Sequence, residues 1–230
     1  MTPLLWMSLS AAAADLTGMW RIDLWVGSSA SMPIVGASEI TSRTVMLAEV
    51  EPTETGLVQR HRVCAVSADA NRSVITTAFP EAFVNALQPK EYPVSLSENG
   101  DYFVDFGDQF IGYDEVLSQG RMPTSMDDAS LIDFEGDGVL AATVELDVPL
   151  LSNAKIYLVQ HTHTQLRGEV VDANQVAGRA EVLVMDQYVL DGDPSIFARN
   201  PVVQQAPERH RFLMQRVPLS FTCAEIREMP

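Results

Sequence analysis

An alternation of apolar and polar residues runs through much of the chain and limits the folds open to it. In the stretch TGMWRIDLWV the apolar side chains at every second position are Trp20, Ile22, Leu24 and Val26. Successive side chains of a β-strand point to opposite faces, so this spacing predicts a half-buried strand. Similar runs predict strands near residues 40–50, 56–67, 92–96, 101–106, 139–148, 154–170, 177–190 and 209–223.

Two kinds of segment interrupt this pattern. PEAFVNALQP has a proline suited to the first turn of a helix, two apolar residues one turn apart and a proline at its end, so it predicts a short helix near residues 80–88. The segments 27–39, 114–132 and 191–208 are richer in glycine, serine, proline and charge. We expect these three segments to be long loops.

The predicted fold class is therefore all-β. About eight to ten mostly antiparallel strands favour a barrel, because closing the sheet removes its exposed edges. A β-sandwich is the alternative. The chain has 230 residues, a length compatible with one core, and we expect residues 15–230 to form a single β domain.

Residues 1–14 are interpreted as a signal-peptide remnant. Residues 4–9 form a short apolar run, and residues 12–14 are alanines of the kind found at signal cleavage sites. No Lys or Arg precedes Arg21, so the basic start of a signal peptide is missing. No stretch approaches the roughly 20 apolar residues that span a bilayer. The sequence predicts a secreted or periplasmic protein without a transmembrane segment.

The chain has two cysteines, Cys64 and Cys223, each beside apolar residues typical of strands. In an oxidising compartment this pair is expected to form one disulfide that ties the end of the chain to an early strand. Two buried free thiols are the alternative.

Acidic residues outnumber basic ones by 31 to 15, which gives a formal net charge of −16. Residues 98–147 hold thirteen of the acidic residues and one basic residue, Arg121. Such a field repels phosphate groups and anionic lipid headgroups, so nucleic-acid and peripheral-membrane partners are disfavoured.

The stretch DFEGDGVLAA contains the most specific candidate site. Asp133, Glu135, Asp137 and the carbonyl of Val139 fit the first seven positions of an EF-hand-type calcium loop. Val144 occupies the position where that loop needs a bidentate glutamate, and a strand pattern follows instead of a helix, so a complete EF-hand is excluded. A calcium loop that introduces a β-hairpin and a solvated Asp/Gly turn both remain open.

A second candidate is the pair His161 and His163 in QHTHT, whose side chains share one face of a strand at a spacing used by zinc and iron sites. A third ligand would have to come from elsewhere. His61 and His210 are each flanked by arginines, which we expect to repel a cation. Neither G-x-S-x-G nor a Cys/His arrangement for nucleophilic catalysis is present. The sequence therefore leans away from an enzyme.

The segment LTGMW, residues 16–20, followed by an amphipathic strand, resembles the G-x-W opening of lipocalin-type barrels, in which the Trp closes the base of the barrel. The disulfide from the late chain to an early strand is also lipocalin-like. More loosely, DFEGDGVLAATVEL and IYLVQHTHTQLRGEVV are similar to a group of uncharacterised secreted bacterial proteins. The lipocalin resemblance implies a barrel that binds a small molecule.

The sequence thus favours a secreted or periplasmic, lipocalin-like β-barrel that binds a small hydrophobic ligand in an apolar interior. The first alternative is a calcium-stabilised extracellular structural or interaction protein with a packed core. The second alternative is a barrel-type enzyme that uses a site at His161 and His163.

Overall fold

A computed structural model of the protein describes residues 15–32, 36–71, 76–148 and 151–229. The interpreted signal remnant, residues 1–14, lies outside them. The longer strands are β1 (Gly18–Met32), β2 (Gly36–Thr53), β3 (Gly56–Ala70), β6 (Asp101–Ile111), β8 (Leu151–Asp172) and β9 (Gln175–Asp193). The shorter strands are β4 (Thr76–Ala78), β5 (Lys90–Leu96), β7 (Ala142–Val148), β10 (Val202–Gln205) and β11 (Arg211–Val217). The helices of the described residues are α1 (Glu81–Ala86), α2 (Glu115–Ser118) and α3 (Cys223–Glu228).

Eight of the strands pair side by side in a closed ring. Their order is β1, β2, β3, β5, β6, β8, β9 and β11, and β11 pairs again with β1. All of these pairs are antiparallel. The ring closes between β9 and β11 over a short ladder, residues 175–178 against 212–215. The all-β, mostly antiparallel fold class is therefore confirmed.

The ring is not a regular barrel, because three long strands change partner along their length. β3 pairs with β5 over residues 57–61 and then with β4 at Ala68. β8 pairs with β7 over its first half and with β6 over its second half. β1 pairs first with β11 and then with β10. We use the name extension for β4, β7 and β10 together with the parts of β3, β8 and β1 that pair with them.

Gly112 lies where β8 changes partner from β6 to β7. Its φ angle is +80°, and a Cβ atom there would lie 2.8 Å from the carbonyl oxygen of Leu158 and 2.9 Å from the backbone nitrogen of Ala142. After β6 the chain passes so close to the backbones of Leu158 and Ala142 that only a residue without a side chain fits at position 112.

The ring and the extension have separate cores. Large side chains fill the ring core, and its members of at most 2% exposure include Trp20, Ile22, Met46, Tyr102, Leu166, Phe212 and Met214. The core of the extension is smaller and contains Phe83, Val84, Ala142, Val144, Leu158 and Val189. In β1 the ring-core residues Trp20, Ile22 and Leu24 alternate with the charged residues Arg21 and Asp23, as period-2 patterning requires.

The helix predicted near residues 80–88 is present as α1. The expected loop at 27–39 is wrong: β1 continues to Met32, and β2 begins at Gly36. The glycine and serine of this segment have low strand propensity, but the long β1–β2 ladder pairs them. The predicted strand over 209–223 ends at Val217, and α3 follows it. Among the described helices, none is long and apolar enough to cross a membrane.

Candidate functional site

The wall of the sheet has a discontinuity, which we call the seam, where ring strands give way to strands of the extension. On β3 it spans residues 62–67, between the last pair with β5, His61 with Lys90, and the pair of Ala68 with Thr77 of β4. In the part of the chain that the structure describes, no strand pairs with this edge of β3 there. α1 packs against the edge instead.

α1 closes the seam with its apolar face. Phe83 and Val84 are 3% and 8% exposed and belong to the core of the extension. The ring of Phe83 packs between those of Phe79 and Phe134, at centroid distances of 5.3 and 5.5 Å. A helix of six residues has little stability of its own, so packing of this face holds α1 in place.

A cavity of about 170 Å³ lies between α1 and β3. Its apolar lining residues are Val63, Val84, Leu87 and Pro89, and its polar ones are Arg62, Asn85 and Gln88. Engineered apolar cavities of roughly 150 Å³ hold one benzene molecule. The seam therefore has room for a small ring or a short chain.

Polar side chains lie inside the ring beside the seam. The register pairs His61 with Lys90 and Gln59 with Tyr92, so these four side chains share the inner face of β3 and β5. Tyr92 is 8% exposed and belongs to the ring core. We call His61, Lys90, Tyr92 and Gln109 of β6 the inner polar cluster.

Gln109 connects the cluster across a gap between β5 and β6. These two strands pair over residues 94–96 and 102–104, beyond which β6 follows β8. Across the gap the amide of Gln109 donates to the Tyr92 hydroxyl at 3.2 Å, and the ammonium of Lys90 donates to the Gln109 carbonyl. A side chain thus replaces the missing backbone ladder.

Burial shifts the ionisation of the cluster. It lowers the pKa of His61 from 6.5 to about 4, and the nearby charge of Lys90 lowers it further in the same direction. Burial also lowers the pKa of Lys90 and raises the pKa of Tyr92, although the bond from Gln109 opposes the latter shift. The imidazole is therefore neutral near pH 7, packed at 5.0 Å from the Tyr92 ring and 4.8 Å from the Phe106 ring. Shifted groups beside a cavity are typical of functional sites.

A larger open pocket of about 510 Å³ lies at the β8–β9 turn, beside Asp172 and Arg216. The Arg216 guanidinium donates to the carbonyl oxygens of Asp15, Thr17 and Ala173 at 2.6–2.9 Å and lies 4.4 Å from the centre of the Trp20 ring. Its donors thus hold the chain together at the start of β1. The other charged groups at the pocket, the carboxylates of Asp15 and Asp172, accept hydrogen bonds from the backbone N–H groups of Thr17 and Asn174.

The acidic loop folds back on itself. The carboxylate of Asp133 accepts hydrogen bonds from the backbone N–H groups of Asp137 and Gly138, each at 3.0 Å. The carboxylate of Asp137 accepts from the N–H of Val139 at 2.9 Å. These are the bonds of an Asx-type turn, in which carboxylates satisfy the loop's own donors.

Glu135 reaches from the same loop to β7, where its carboxylate accepts from the backbone N–H of Thr143. One carboxylate oxygen of Glu135 is buried without a hydrogen-bond partner, and burial raises the pKa of this group. Within the described ranges, no three His, Cys, Asp or Glu side chains are arranged to hold a metal ion. Calcium binding at Asp133, Glu135, Asp137 and Val139 stays a prediction.

His161 and His163 share one face of β8, opposite the ring-core residue Leu166. The Nε2 atom of His161 lies 2.8 Å from a carboxylate oxygen of Asp108, and the Nε2 atom of His163 lies 2.8 Å from one of Asp105. Each imidazole thus pairs with a carboxylate of β6 across the sheet. The geometry describes two cross-strand pairs, and the enzyme alternative that relies on these histidines stays a prediction.

A disulfide joins Cys64 of β3 to Cys223, the first residue of α3. The helix packs Ile226, which is fully buried, against Val45 and Val217 on the outer face of the sheet. The thiols of the chain are therefore used to hold its C-terminal helix on the ring.

The inner polar cluster was missed by the sequence interpretation, which set His61 aside because arginines flank it. On a strand those neighbours point to the opposite face: Arg60 pairs with Glu91, its Nε 2.7 Å from the carboxylate oxygen. The alternation along β3 therefore already indicated that the flanking arginines lie on the face opposite His61. The approach of Lys90 and Gln109 could not be read from it, since both come from other strands.

Comparison of the chain with models of known protein families, with curated proteins and with solved structures finds no match.

Proposed function

We propose that the protein binds a small, largely apolar molecule at the seam, behind α1, and has no catalytic role. The observation that carries this proposal is the cavity between α1 and β3. Two of its lining residues, Arg62 and Pro89, are the sequence neighbours of His61 and Lys90 in the inner polar cluster. Binding sites are commonly apolar hollows with a few convergent polar groups. The lipocalin resemblance implies a small-molecule ligand in the interior of the barrel. We propose a ligand of the same kind, bound at the seam instead.

The seam suits this role better than the centre of the ring. The side chains of Trp20, Tyr102 and Phe212 fill the ring core and are at most 2% exposed. A ligand there would have to displace close-packed groups, which costs several kcal/mol for each large side chain. A ligand at the seam would enter space that already exists and contact the short helix α1.

We further propose that the protein acts outside the cytoplasm. The disulfide between Cys64 and Cys223 supports this, because such bonds persist in oxidising compartments. The formal charge of −16 makes a nucleic acid an unfavourable partner.

Nuclear magnetic resonance can test the binding site with benzyl alcohol as the probe. We expect saturable shifts of backbone amides in α1 and in residues 62–67 of β3. The variant Leu87→Trp fills the cavity from the residue that follows α1 and should abolish these shifts. Leu183→Trp, at a site that is 55% exposed on β9, is the matched control and should leave them unchanged.

Shifts that cluster elsewhere, or that survive Leu87→Trp, would contradict the proposal. The absence of any saturable shift in the wild-type protein would remove its basis.

A further inference from the structure

We propose that the protein binds an extended, basic segment of another protein along β9, as an added strand of its sheet. The surface that receives this segment is the backbone edge of residues 179–188, which we call the open edge. This interaction goes beyond the binding of a small molecule at the seam and does not depend on it.

The open edge has a strand on one side only, within the part of the chain that the structure describes. β8 pairs with β9 over residues 175–193. On its other side β9 pairs with β11 over residues 175–178, where the ring closes, and no described strand continues this ladder beyond Gly178. Such an edge presents backbone donors and acceptors with which another chain can pair.

The side chain of Asn200 shows which backbone groups face the open edge. Its amide oxygen accepts from the N–H of Val189 at 2.6 Å, and its amide nitrogen donates to the carbonyl of Val189 at 3.2 Å. Asn200 thus bonds to Val189 as the backbone of a neighbouring strand would, on the side away from β8. Since this direction alternates along a strand, the N–H and C=O groups of Met185 and Gln187 also point away from β8. Among the described residues these groups have no backbone partner.

The open edge lacks two kinds of residue that commonly protect sheet edges. It contains neither lysine nor proline, and residues 182–185 form an apolar run within it. A bulge leaves Leu183 without a partner on β8, so the regular part of the edge is residues 184–188. This part offers the two N–H and two C=O groups of Met185 and Gln187 to an added strand. Pairing of this kind is a common way in which proteins bind extended peptides.

Charge decides what kind of segment fits. Asp186 directly follows the apolar run and takes part in none of the ion pairs of the described residues. Arg179, the basic residue of the open edge, lies outside its regular part. Because the chain has a formal charge of −16, a second copy would bring like charges to this edge. A strand with apolar side chains at alternate positions and lysine or arginine near its ends would bring the opposite charge.

Hydrogen exchange measured by nuclear magnetic resonance tests the free edge first. In the protein alone, the N–H groups of Met185 and Gln187 should exchange at least about a hundredfold faster than that of Asp186, which points to β8. Slow exchange at Met185 and Gln187 would mean that the chain itself already covers the edge, and it would overturn the proposal.

A synthetic peptide, acetyl-KVTVTVK-amide, tests the added strand. Its binding should slow exchange at Met185 and Gln187 and should shift the amides of residues 184–188 saturably. The matched peptide acetyl-DVTVTVD-amide has the same apolar residues and the opposite charge. We expect it to bind at least about tenfold more weakly at low salt.

A substitution at one edge position tests the backbone bonds. Gln187→Pro removes an N–H that faces the open edge and leaves the bonds to β8 in place, so it should weaken peptide binding at least about tenfold. Gln187→Ala keeps this N–H and is the matched control, which should bind as wild type. The exchange rates and the two peptides are measured on the wild-type protein, so they decide the proposal even where Gln187→Pro does not fold.

Three further outcomes would overturn the proposal. The first is peptide binding that Gln187→Pro leaves unchanged or that shifts amides elsewhere in the protein. The second is equal affinity for the two peptides, which would remove the preference for a basic partner. The third is a dimer in analytical ultracentrifugation that protects the open edge, which would make a second copy its partner. None of these outcomes affects the binding of benzyl alcohol at the seam.

Discussion

At the scale of single residues, His61 combines deep burial with the absence of a carboxylate neighbour. It is 9% exposed and packs against Tyr92 and Phe106, and the closest charge described for it is the cation Lys90. Protonation would place a second positive charge inside the ring. The folded state therefore resists protonation of this imidazole, and the unfolded state does not.

This difference predicts loss of stability in mild acid. Folding lowers the pKa of His61 from 6.5 to about 4. The contribution of this residue to the free energy of unfolding is therefore fully present above pH 6.5 and is lost as the pH falls toward 4. The decline attributable to this residue is about 3 kcal/mol. Urea unfolding of His61→Leu at several pH values should show a smaller decline than the wild type.

His163→Gln is the control, since its imidazole lies on the outer face with 22% of the side chain exposed. Parallel pH profiles for wild type and His61→Leu would contradict the explanation.

Gly112 allows a second prediction at this scale. Gly112→Ala should lower the free energy of unfolding by more than about 2 kcal/mol, because the new Cβ meets two backbone atoms and the φ angle is positive. Gly136→Ala has a similar φ of +75° with no atom within 4 Å, so it should cost about 1 kcal/mol. Denaturant melts measure both values. Equal losses would show that the close approach at Gly112 contributes nothing.

At the scale of elements, short segments depend on attachments made by residues distant in sequence. α3 is six residues long, begins with a capping box at Thr222 and Glu225, and is linked to β3 through Cys223. α1 depends on Phe83 and Val84 in the same way. Neither helix would persist alone, so the stability of each is that of its contact with the sheet.

Removal of the disulfide should therefore destabilise the protein strongly. Cys64→Ala with Cys223→Ala is expected to lower the free energy of unfolding by about 2–5 kcal/mol, because the bond closes a loop across 159 positions. Hydrogen exchange should show the largest loss of protection in α3 and the strand edges beneath it. A loss of protection spread evenly over the ring would contradict the view that the disulfide acts mainly by holding α3 on the sheet.

The acidic loop gives a further prediction for an element. Bound calcium would raise the melting temperature at constant ionic strength, because a ligand specific to the folded state stabilises it. Asp133→Asn should abolish that rise. Without calcium, Asp133→Ala should still destabilise the loop, since the carboxylate accepts two backbone N–H groups. A melting temperature that is the same in calcium and in chelator contradicts the calcium prediction.

At the scale of the whole molecule, the net charge of −16 acts on the ring as a repulsive field. Thirteen acidic residues lie in the window 98–147: Glu98 in the turn before β6, and the others on β6, on β7 and in the segment between them. Opposite charges offset part of this field through pairs such as Arg167 with Glu181. Self-repulsion of this kind destabilises a compact state and is screened by salt.

Sodium chloride should therefore stabilise the protein. Raising its concentration from about 20 mM to about 300 mM is expected to increase the melting temperature in calorimetry, because the Debye length falls from about 20 Å to about 6 Å. A charge-reducing variant in the acidic window, Asp127→Asn with Asp128→Asn, should show a smaller salt effect. A melting temperature that falls with salt would mean that ion pairs outweigh the repulsion.

Local patterns predicted those parts of the structure that local physics controls. The alternation around Trp20 and Ile22 determined which side chains enter the core, because the faces of a strand alternate whatever its partners are. The prolines at 80 and 89 marked α1, since proline is favoured at the start of a helix and rarely allows it to continue. The all-β class follows from the alternation, which recurs along most of the chain.

Partner choice, in contrast, was decided by the tertiary structure. Nothing in the sequence of β3 tells that its first half pairs with β5 and its second half with β4, and the seam exists because of that change. The inner polar cluster has the same origin, because it brings together residues from β3, β5 and β6 that lie up to 48 positions apart, from His61 to Gln109. Alternation determines the face to which a side chain points, but the side chains that meet it depend on strand pairing, which is a property of the whole sheet.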